Sequence, residues 1–411
     1  MITPAYSPTA TERVLPRMAL DFTTGVLDPR VTVTRASTAT FVGSNGFIQS
    51  AAINAPRFDY NPVTLAPKGL LIEEARSNLV LRSEQFNDAA WTTGDASISA
   101  NAVNGPDGNL TADKLVEAAT SGVHNVSQTV TVLNSTVYTN SVYVKAAERT
   151  FIALYAGNPG QGTIFNLSNG TVFGSLVAPP TSSSITAAGN GWYRISITYT
   201  SVAITTAPSL YLCDNTGQFV YSGDGTSGAY IWGGQIEAGA FATSYIPTLA
   251  SQVTRNPDIA TMTGTNFSSW ANASAGALQA KFANLIPPTV LKDVISLNSG
   301  ANDFTIMRSS SSGVFSINVI GGVSVASLRM TDVALNVGQN CNGITAYSAN
   351  RYVASANARS VSTNTTVGAV PPFNTLSIGS NAGSNQWSGW MQKISYWPQL
   401  LTDAEVQSFS K

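Results

Sequence analysis

The feature that most restricts the fold of this sequence is a period-two alternation of apolar and polar residues, repeated in short runs. In VSQTVTVLNSTVYTNSVYVKA, Val126, Val130 and Val132 share one parity, and Val142 and Val144 follow a short turn. Because successive side chains of a strand point to opposite faces, this pattern predicts strands with one buried face. GWYRISITYT and SLYLCDNTGQFVYSGDG repeat it between Asn, Gly and Asp turns. Such short runs between turns predict antiparallel sandwiches.

Helical patterns are scarce. The clearest is LTDAEVQSF, where Thr402 and Glu405 have the spacing of a capping box. IEEARSNLVL is open between one further short helix and an irregular brace. The sequence therefore predicts an all-β chain in which helix is a small minority.

Composition divides the 411 residues into three parts. Residues 1–75 carry many prolines and little sustained alternation, which predicts an extended N-terminal arm that packs on something else. Residues 76–257 and 258–411 each carry the strand pattern, and IPTLASQVTRNPDIATM joins them. The predicted fold class is two antiparallel β-sandwich domains in tandem, preceded by the arm.

Charge is rare in this chain. Only 10% of residues are charged and the net charge is −1, whereas about 25% is typical of soluble domains. No basic cluster exists to neutralise phosphates, so we expect no nucleic-acid partner. The stretch 150–193 has no charged residue, but Gly and Pro interrupt it, so we expect no membrane insertion. The first residues lack a basic start followed by an apolar run, so we expect no signal peptide.

Residues for nucleophilic catalysis are few. His124 is the single histidine, and a Ser-His-Asp or Cys-His arrangement would have to use it. It shares its parity with Val126 and has no nucleophile elbow nearby, so we predict a sheet side chain. Cys213 and Cys341 match no disulfide or metal spacing and are predicted to be buried. We therefore predict no enzyme; paired carboxylates for glycoside hydrolysis stay open, since distant acids can converge.

Asp113, Asp214 and Asp224 lie in turn-like sequence. Carboxylates supply the oxygen ligands that calcium prefers, so these residues are candidates for a structural calcium site. Ordinary turn chemistry, in which a carboxylate accepts hydrogen bonds from nearby backbone, is the favoured explanation of these residues. No other cofactor is indicated.

Aromatic residues supply the candidate glycan contacts. Trp192 and Trp232 lie inside alternating strands and are predicted to be core residues. Tyr155 in LYAGNPGQG and Trp387 in SNQWSGW adjoin Gly/Asn turns, where a ring with one open face can stack on a sugar. Tyr155 and Trp387 are therefore the carbohydrate-contact candidates. The alternative is that both rings fill gaps in the sandwich cores.

Several motifs, taken in order, resemble a recurring module of tailed-bacteriophage virion proteins of the head spike, head fibre or tail-fibre-like kind. They are LDFTTGVLDPRVTVTRASTATFV, INAPRFDYNPVTLAPKGLLIEEARSNLVLRSEQF, TADKLVE, YTNSVYVKAAERTFIAL, NGWYRISITYT and YIWGGQIEAGAFATSYIPTLASQVTR. The resemblance covers roughly residues 20 to 260 and implies a carbohydrate-binding-module jelly roll. LSIGSNAGSNQWSGWMQKISYWPQLLTDAEVQSF resembles the end of a concanavalin A-like (laminin G-like) jelly roll.

The resemblance implies a non-enzymatic virion structural protein, a head or tail fibre or decoration component, made in the host bacterial cytoplasm. Its lectin-like domains would adhere weakly to host or mucus glycans. Its partners would be other virion proteins through the arm, a homo-oligomer with a trimer favoured, and cell-surface polysaccharide. The alternative is a glycan-active enzyme such as a depolymerase, or its carbohydrate-binding accessory module.

The resemblance also explains why GLLIEEARSNLVLRSEQFNDAAW concentrates charge in a chain that avoids it. In the resembling proteins this segment joins the arm to the jelly roll, so ion pairs here would fix the arm against the sandwich or a neighbouring subunit. The alternative is that these charged residues form the solvent-exposed face of a helix. The residues predicted to form this junction are Arg57, Asp59, Glu73, Glu74 and Arg76.

Overall fold

The chain folds into two compact units. The structure, a computed structural model, describes four stretches of the chain: 15–285, 291–332, 334–366 and 368–411. The first unit is Val33–Ile259, and the second joins Ala260–Lys411 to residues 15–32. We refer to them as the first and second sandwich.

The strands are short and numerous. Those that begin before residue 76 are β1 (Met18–Asp21), β2 (Thr32–Thr34), β3 (Ala39–Val42), β4 (Ile48–Ala51), β5 (Phe58–Tyr60) and β6 (Pro67–Ile72). The next are β7 (Arg76–Asn78), β8 (Thr92–Gly94), β9 (Ala96–Asn104), β10 (Leu110–Glu117), β11 (Ser121–Gly122), β12 (Asn125–Ser127), β13 (Val130–Thr131), β14 (Val137–Ala146), β15 (Phe151–Ala156), β16 (Gln161–Asn166), β17 (Thr171–Val177), β18 (Ser182–Gly189), β19 (Trp192–Thr200), β20 (Thr205–Thr206), β21 (Pro208–Cys213), β22 (Tyr221–Ser222), β23 (Gly228–Ala238) and β24 (Val253–Arg255). The last are β25 (Ile259–Thr263), β26 (Ala275–Asn284), β27 (Lys292–Asn298), β28 (Phe304–Ser310), β29 (Gly313–Ile320), β30 (Val323–Arg329), β31 (Asn340–Ser348), β32 (Arg351–Ala356), β33 (Ser362–Asn364), β34 (Thr375–Ile378) and β35 (Gly389–Trp397).

Helix is confined to three short pieces among the described residues: a 3-10 turn (Phe22–Thr24), α1 (Gly264–Ser268) and α2 (Asp403–Phe409). The predicted capping box is confirmed: the Thr402 hydroxyl accepts from the Glu405 amide, and the Glu405 carboxylate accepts from the Thr402 amide. The short helix considered for IEEARSNLVL is wrong, because this segment contains β7, which pairs with β24. No helix among the described residues has the length and apolarity to span a bilayer.

Two six-stranded antiparallel sheets form the body of the first sandwich. Sheet A has the order β18-β19-β14-β23-β10-β9, and sheet B has the order β17-β16-β15-β21-β12-β8. Side chains of alternating parity fill the space between them, including Val142 and Ile197 from sheet A and Ile152, Leu154 and Leu210 from sheet B. The period-two pattern is thus confirmed as the signal of half-buried strands.

The outward faces of the two sheets differ. Sheet A carries an aromatic cluster on its outward side, separate from the core between the sheets. In this cluster Trp192, Trp232 and Tyr143 pack with Tyr245. Trp192 and Trp232 are core residues, as predicted. Sheet B has partly exposed aromatic side chains on its outward side. No described strand of another sheet in the first sandwich pairs with the strands of sheet B.

The second sandwich is also antiparallel. Its first sheet contains the run β33-β32-β31-β26-β35, and its second contains the run β25-β34-β27-β28-β29-β30. α2 packs through Val406 in an apolar cluster with Ile344 and Val353 of the first sheet. The fold class of tandem antiparallel β-sandwiches is therefore confirmed.

The two units divide the chain between Ile259 and Ala260, and residues 15–75 of the predicted arm do not form a unit of their own. Residues 1–14 of the predicted arm lie outside the described residues. The rest of the arm is divided, because β1 pairs with β35 in the second sandwich, while the residues from Val33 onward belong to the first. The low alternation of this segment reflects its first five strands, whose three or four residues are too few to show a period, while the six-residue β6 ends in four consecutive buried residues.

Candidate functional site

Two tyrosines stand out on the outward face of sheet B. Ile152 and Leu154 of β15 point into the core, so Tyr155 points outward. In the strand register Ala153 lies opposite Tyr211 of β21, which places the two tyrosines diagonally across neighbouring strands. Their ring centroids are 5.5 Å apart and their planes meet at 87°, an edge-to-face pair. Both rings are partly exposed.

Neutral hydrogen-bonding side chains surround this pair. Ser209 lies opposite Tyr155 on β21, and Asn125 lies opposite Tyr211 on β12. Burial raises the pKa of the Tyr211 phenol, and hydrogen bonds with Ser209 and Asn125 partly offset that rise. The phenol therefore stays protonated at neutral pH and can donate as well as accept.

A glycine lets the Tyr155 ring lie close to the sheet. Gly162 faces Tyr155 across β15 and β16, and a Cβ there would lie 3.0 Å from Tyr155 Cδ2. Any larger residue at this position would push the ring away. Together with Ser209 and Asn125 this makes a polar surface with an aromatic centre on one face of a sheet. We call the outward side of sheet B around Tyr155 and Tyr211 the neutral face, because its six strands contain no Asp, Glu, Lys, Arg or His.

Trp387, the other predicted glycan contact, is in a different environment. It is 1% exposed, its Nε1 donates to Asn284 Oδ1 at 2.7 Å, and its ring meets Phe282 edge-on. Gly389 makes this possible, because a Cβ at that position would lie 2.2 Å from Trp387 Cζ2. The prediction of an open ring face is therefore wrong for Trp387, which fills the core of the second sandwich.

The three candidate calcium ligands do not converge. Asp113 is buried, and its carboxylate accepts from the amides of Phe86 and Asn101, each at 2.9 Å. Asp214 and Asp224 each accept from backbone amides a few residues ahead in their own turns. Among the described residues, no three His, Cys, Asp or Glu side chains form a metal-binding group. Turn and backbone chemistry accounts for all three carboxylates.

His124 and the cysteines are interior residues. His124 lies just before β12, is buried, and places Nδ1 2.6 Å from the carbonyl oxygen of Asp95. Its ring meets that of Tyr221 edge-on. Cys213 and Cys341 are free and buried, as predicted, and burial raises the pKa of each thiol to about 12. Both thiols are therefore protonated and unreactive at neutral pH.

The charged residues predicted at the junction include a buried ion pair. Arg57 Nη1 lies 2.7 Å from Glu73 Oε2, and Arg57 Nη2 binds Asp258. Arg35 Nη1 lies 2.8 Å from Asp258 Oδ1, and Arg255 Nη1 lies 2.8 Å from Glu73 Oε2. All five side chains are at most 2% exposed. We call these five residues the buried ion network.

The other three residues of the predicted junction lie beside the network or near it. Glu74 Oε1 accepts from Arg76 Nη2 at 2.5 Å, and Arg76 Nε lies 3.7 Å from Glu237 Oε2. Asp59 accepts from the amide of Val42. The alternative of a solvated helix face is wrong, because the segment is extended and Glu73 is buried.

The electrostatics of Glu73 follow from its surroundings. Burial alone would raise its pKa, but Arg255 and Arg57, together with hydrogen bonds from Ser244, lower the pKa to about 2. Ser244 donates both its amide, at 2.8 Å, and its hydroxyl, at 2.6 Å. The carboxylate is therefore ionised throughout the physiological range.

Sequence reasoning missed four residues of these two clusters. Arg35, Arg255 and Asp258 complete the buried ion network, and Tyr211 completes the aromatic pair. The rarity of charge was a usable signal for the first three, because each charged residue in such a chain is more informative than usual. Tyr211 had no signal of its own, since its role depends on which strand lies beside β15.

Comparisons with known proteins give weak structural likenesses only. No family model matches the sequence, and no curated protein sequence matches it. One similar structure is the CBM40 of the Ruminococcus gnavus IT-sialidase bound to α2,3 sialyllactose, with 10% identity over 35% of this chain and 86% of that chain and a TM-score of 0.31. Others are mouse laminin α1 domains LG4-5 (10% identity, 70% and 88% covered, TM-score 0.25) and the CBM22-1-CBM22-2 tandem of Paenibacillus barcinonensis Xyn10C (10%, 78% and 98%, 0.24). Likeness at this level assigns no function.

Replacing Glu73 by Gln should lower the free energy of unfolding of the first sandwich by on the order of 3 kcal/mol at pH 7, because it removes the carboxylate that pairs with Arg255 and leaves three buried guanidiniums with Asp258 alone. The folded pKa of Glu73, about 2, is below the ordinary value of 4.5, so its contribution is full above pH 4.5 and is lost as pH falls toward 2. Chemical denaturation at a series of pH values measures both effects. The wild type should lose stability across this range, and Glu73→Gln should lose less.

The matched control is Glu148→Gln, at a half-exposed carboxylate 2.7 Å from Lys114. It should change stability by no more than about 1 kcal/mol, as for other surface ion pairs. Equal acid sensitivity of the wild type and Glu73→Gln would contradict the assignment of this stability to Glu73.

Proposed function

We propose that this chain is a glycan-binding, non-enzymatic component of a bacteriophage virion, and that the neutral face is its glycan-binding surface. The observation that carries the proposal is the partly exposed Tyr155–Tyr211 pair, ringed by Ser209 and Asn125. A pyranose ring has an apolar C–H face and a rim of hydroxyls. The tyrosine rings can stack on the C–H face of the sugar, and the amide, hydroxyl and phenol groups can hydrogen-bond to its hydroxyls.

Binding at this surface would be weak for a single site. The neutral face is one face of a sheet, so a sugar would bury only part of its surface there, unlike a ligand in an enclosed pocket. Many copies on one particle would convert weak sites into strong attachment, because each bound site raises the effective concentration of the next. Weak, multivalent and reversible contact is suited to adhesion to host or mucus polysaccharide.

The side chains of the neutral face favour a glycan-binding function without catalysis. Glycoside hydrolysis ordinarily needs two carboxyl groups flanking the scissile bond. The six strands of sheet B supply none. We therefore propose a binding module in preference to a depolymerase.

The virion assignment is supported by the sequence motifs that resemble head spike, head fibre and tail-fibre-like proteins. Those motifs begin at Leu20, within β1, and contain four of the five residues of the buried ion network, namely Arg35, Arg57, Glu73 and Arg255. We propose that the chain is made in the bacterial cytoplasm and joins the particle by binding other virion proteins.

Replacing Tyr155 or Tyr211 by Ala should reduce retention on a responsive glycan by about tenfold or more, because each removes an aromatic contact, and 1.4 kcal/mol corresponds to a factor of ten. The measurement is retention on an array of bacterial capsule, lipopolysaccharide and mucin glycans. Tyr230→Ala is the matched control, since Tyr230 is a partly buried tyrosine on sheet A and should leave retention unchanged. Equal retention by all three variants would reject the neutral face as the site.

Purified particles of the parent phage should contain this chain as a stoichiometric component. Mass spectrometry of gradient-purified virions, followed by cryo-EM localisation, measures this. Recovery of the chain only in the soluble fraction of the lysate would contradict the virion assignment and would leave the glycan test unaffected.

The isolated chain should assemble, with a trimer as the expected form, because fibre-like virion proteins commonly surround a threefold axis. Multi-angle light scattering at micromolar concentration should then report three times the mass of the chain. A monomer at that concentration would contradict the expectation.

A further inference from the structure

We infer that the glycan bound at the neutral face is itself uncharged, a polysaccharide of neutral hexoses without carboxylate, sulfate or phosphate groups. This inference rests on the proposed glycan-binding function and specifies its ligand class. Its basis is the distribution of charge between the two sheets of the first sandwich.

The two sheets have six strands each but differ in the number of charged residues that they carry. Sheet B has no ionisable acidic or basic side chain in any of its six strands. Sheet A carries six such residues: Asp113, Lys114, Glu117, Lys145, Arg194 and Glu237. The low charge of the whole chain therefore does not account for the neutrality of sheet B, because strands of the same unit do carry charge.

Three charged residues adjoin the strands of sheet B in the sequence: Asp95 directly after β8, Arg149 and Asp214. The acidic Asp95 side chain offers no attraction to an anionic sugar. Arg149, two residues before β15, donates to both carboxylate oxygens of Glu117, at 2.7 and 2.5 Å. Asp214, directly after β21, accepts from amides of its own turn. Both adjoin the end of the sheet where Phe151 pairs with Cys213. Tyr155 lies four residues further along β15, about 13 Å away.

The backbone of the neutral face offers no anion site either. β15 pairs with β16 on one side and with β21 on the other, so its amides take part in the sheet ladder. A carboxylated or sulfated sugar placed over Tyr155 would lose water and gain no cation and no free cluster of N–H groups. Arg149 lies beyond Phe151, more than about 13 Å from Tyr155 along the strand, and its charge is screened over about 8 Å at physiological salt. Asp214 is nearer, three residues or about 10 Å from Tyr211, but as an acid it does not attract an anionic sugar.

The polar groups that are present match uncharged partners. Asn125 offers an amide, Ser127 offers a hydroxyl, and Tyr211 offers a protonated phenol, and all three are partly exposed. Each can donate or accept a neutral hydrogen bond, as sugar hydroxyls also do. The strength of hydrogen bonds between uncharged groups does not depend on ionic strength. Salt independence is therefore a direct signature of the inferred ligand class.

The test compares two sets of immobilised glycans. The neutral set is an unsubstituted glucan, a mannan and a galactan, and the anionic set is polygalacturonate, hyaluronate and sialyllactose. We expect the full chain to bind at least one neutral glycan, with an affinity that changes less than twofold between 50 and 500 mM NaCl. Tyr155→Ala and Tyr211→Ala should each reduce that binding about tenfold, and melting temperatures verify that the variants fold.

Two results would overturn the inference. Binding to an anionic glycan that falls steeply with salt and is lost in Tyr155→Ala or Tyr211→Ala would overturn the ligand class while leaving the neutral face as the site. Binding to neither set, or binding that both variants retain in full, would remove the proposed function and the inference with it.

Discussion

The first sandwich depends on a buried ion network whose side chains are at most 2% exposed. Arg35, Arg57 and Arg255 share two carboxylates, Glu73 and Asp258. Burying a charge is costly unless it is paired and hydrogen-bonded, and removing one partner leaves the others uncompensated. The network therefore works as a unit. Because Arg35 lies near the start of this sandwich and Asp258 near its end, the network holds both ends of the unit in one place.

Charge is unevenly distributed in the first sandwich, because sheet A carries six charged residues and the strands of sheet B carry none. The side of sheet A that faces away from the core is packed by Trp192, Trp232 and Tyr245, so its aromatic side chains stabilise the fold. Sheet B keeps Tyr155 and Tyr211 partly open on a surface without charge. The same residue types thus serve packing on one sheet and are available for recognition on the other.

Tyr155 and Trp387 show how similar sequence contexts lead to different environments. Each ring lies against a glycine, Gly162 in one case and Gly389 in the other, where a Cβ would lie too close to it. The Tyr155 ring keeps an exposed portion on the neutral face. The Trp387 ring is enclosed, with Phe282 at its edge and Asn284 bound to its nitrogen. Local sequence gives the turn and the glycine in both cases, but the enclosing residues come from elsewhere in the chain.

Local patterns in the sequence determined the all-β class, the burial of Trp192 and Trp232, and the capping box of Thr402, because each depends on neighbours a few residues away. The sequence also marked Arg57 and Glu73 as unusual in a chain with little charge. Only the tertiary structure joined them to Arg255, divided the predicted arm between two units, and set Tyr211 beside Tyr155. The reason is physical. Strand order and register depend on which arrangement buries the most apolar surface between the two sheets of a sandwich, and no short window of residues contains that information.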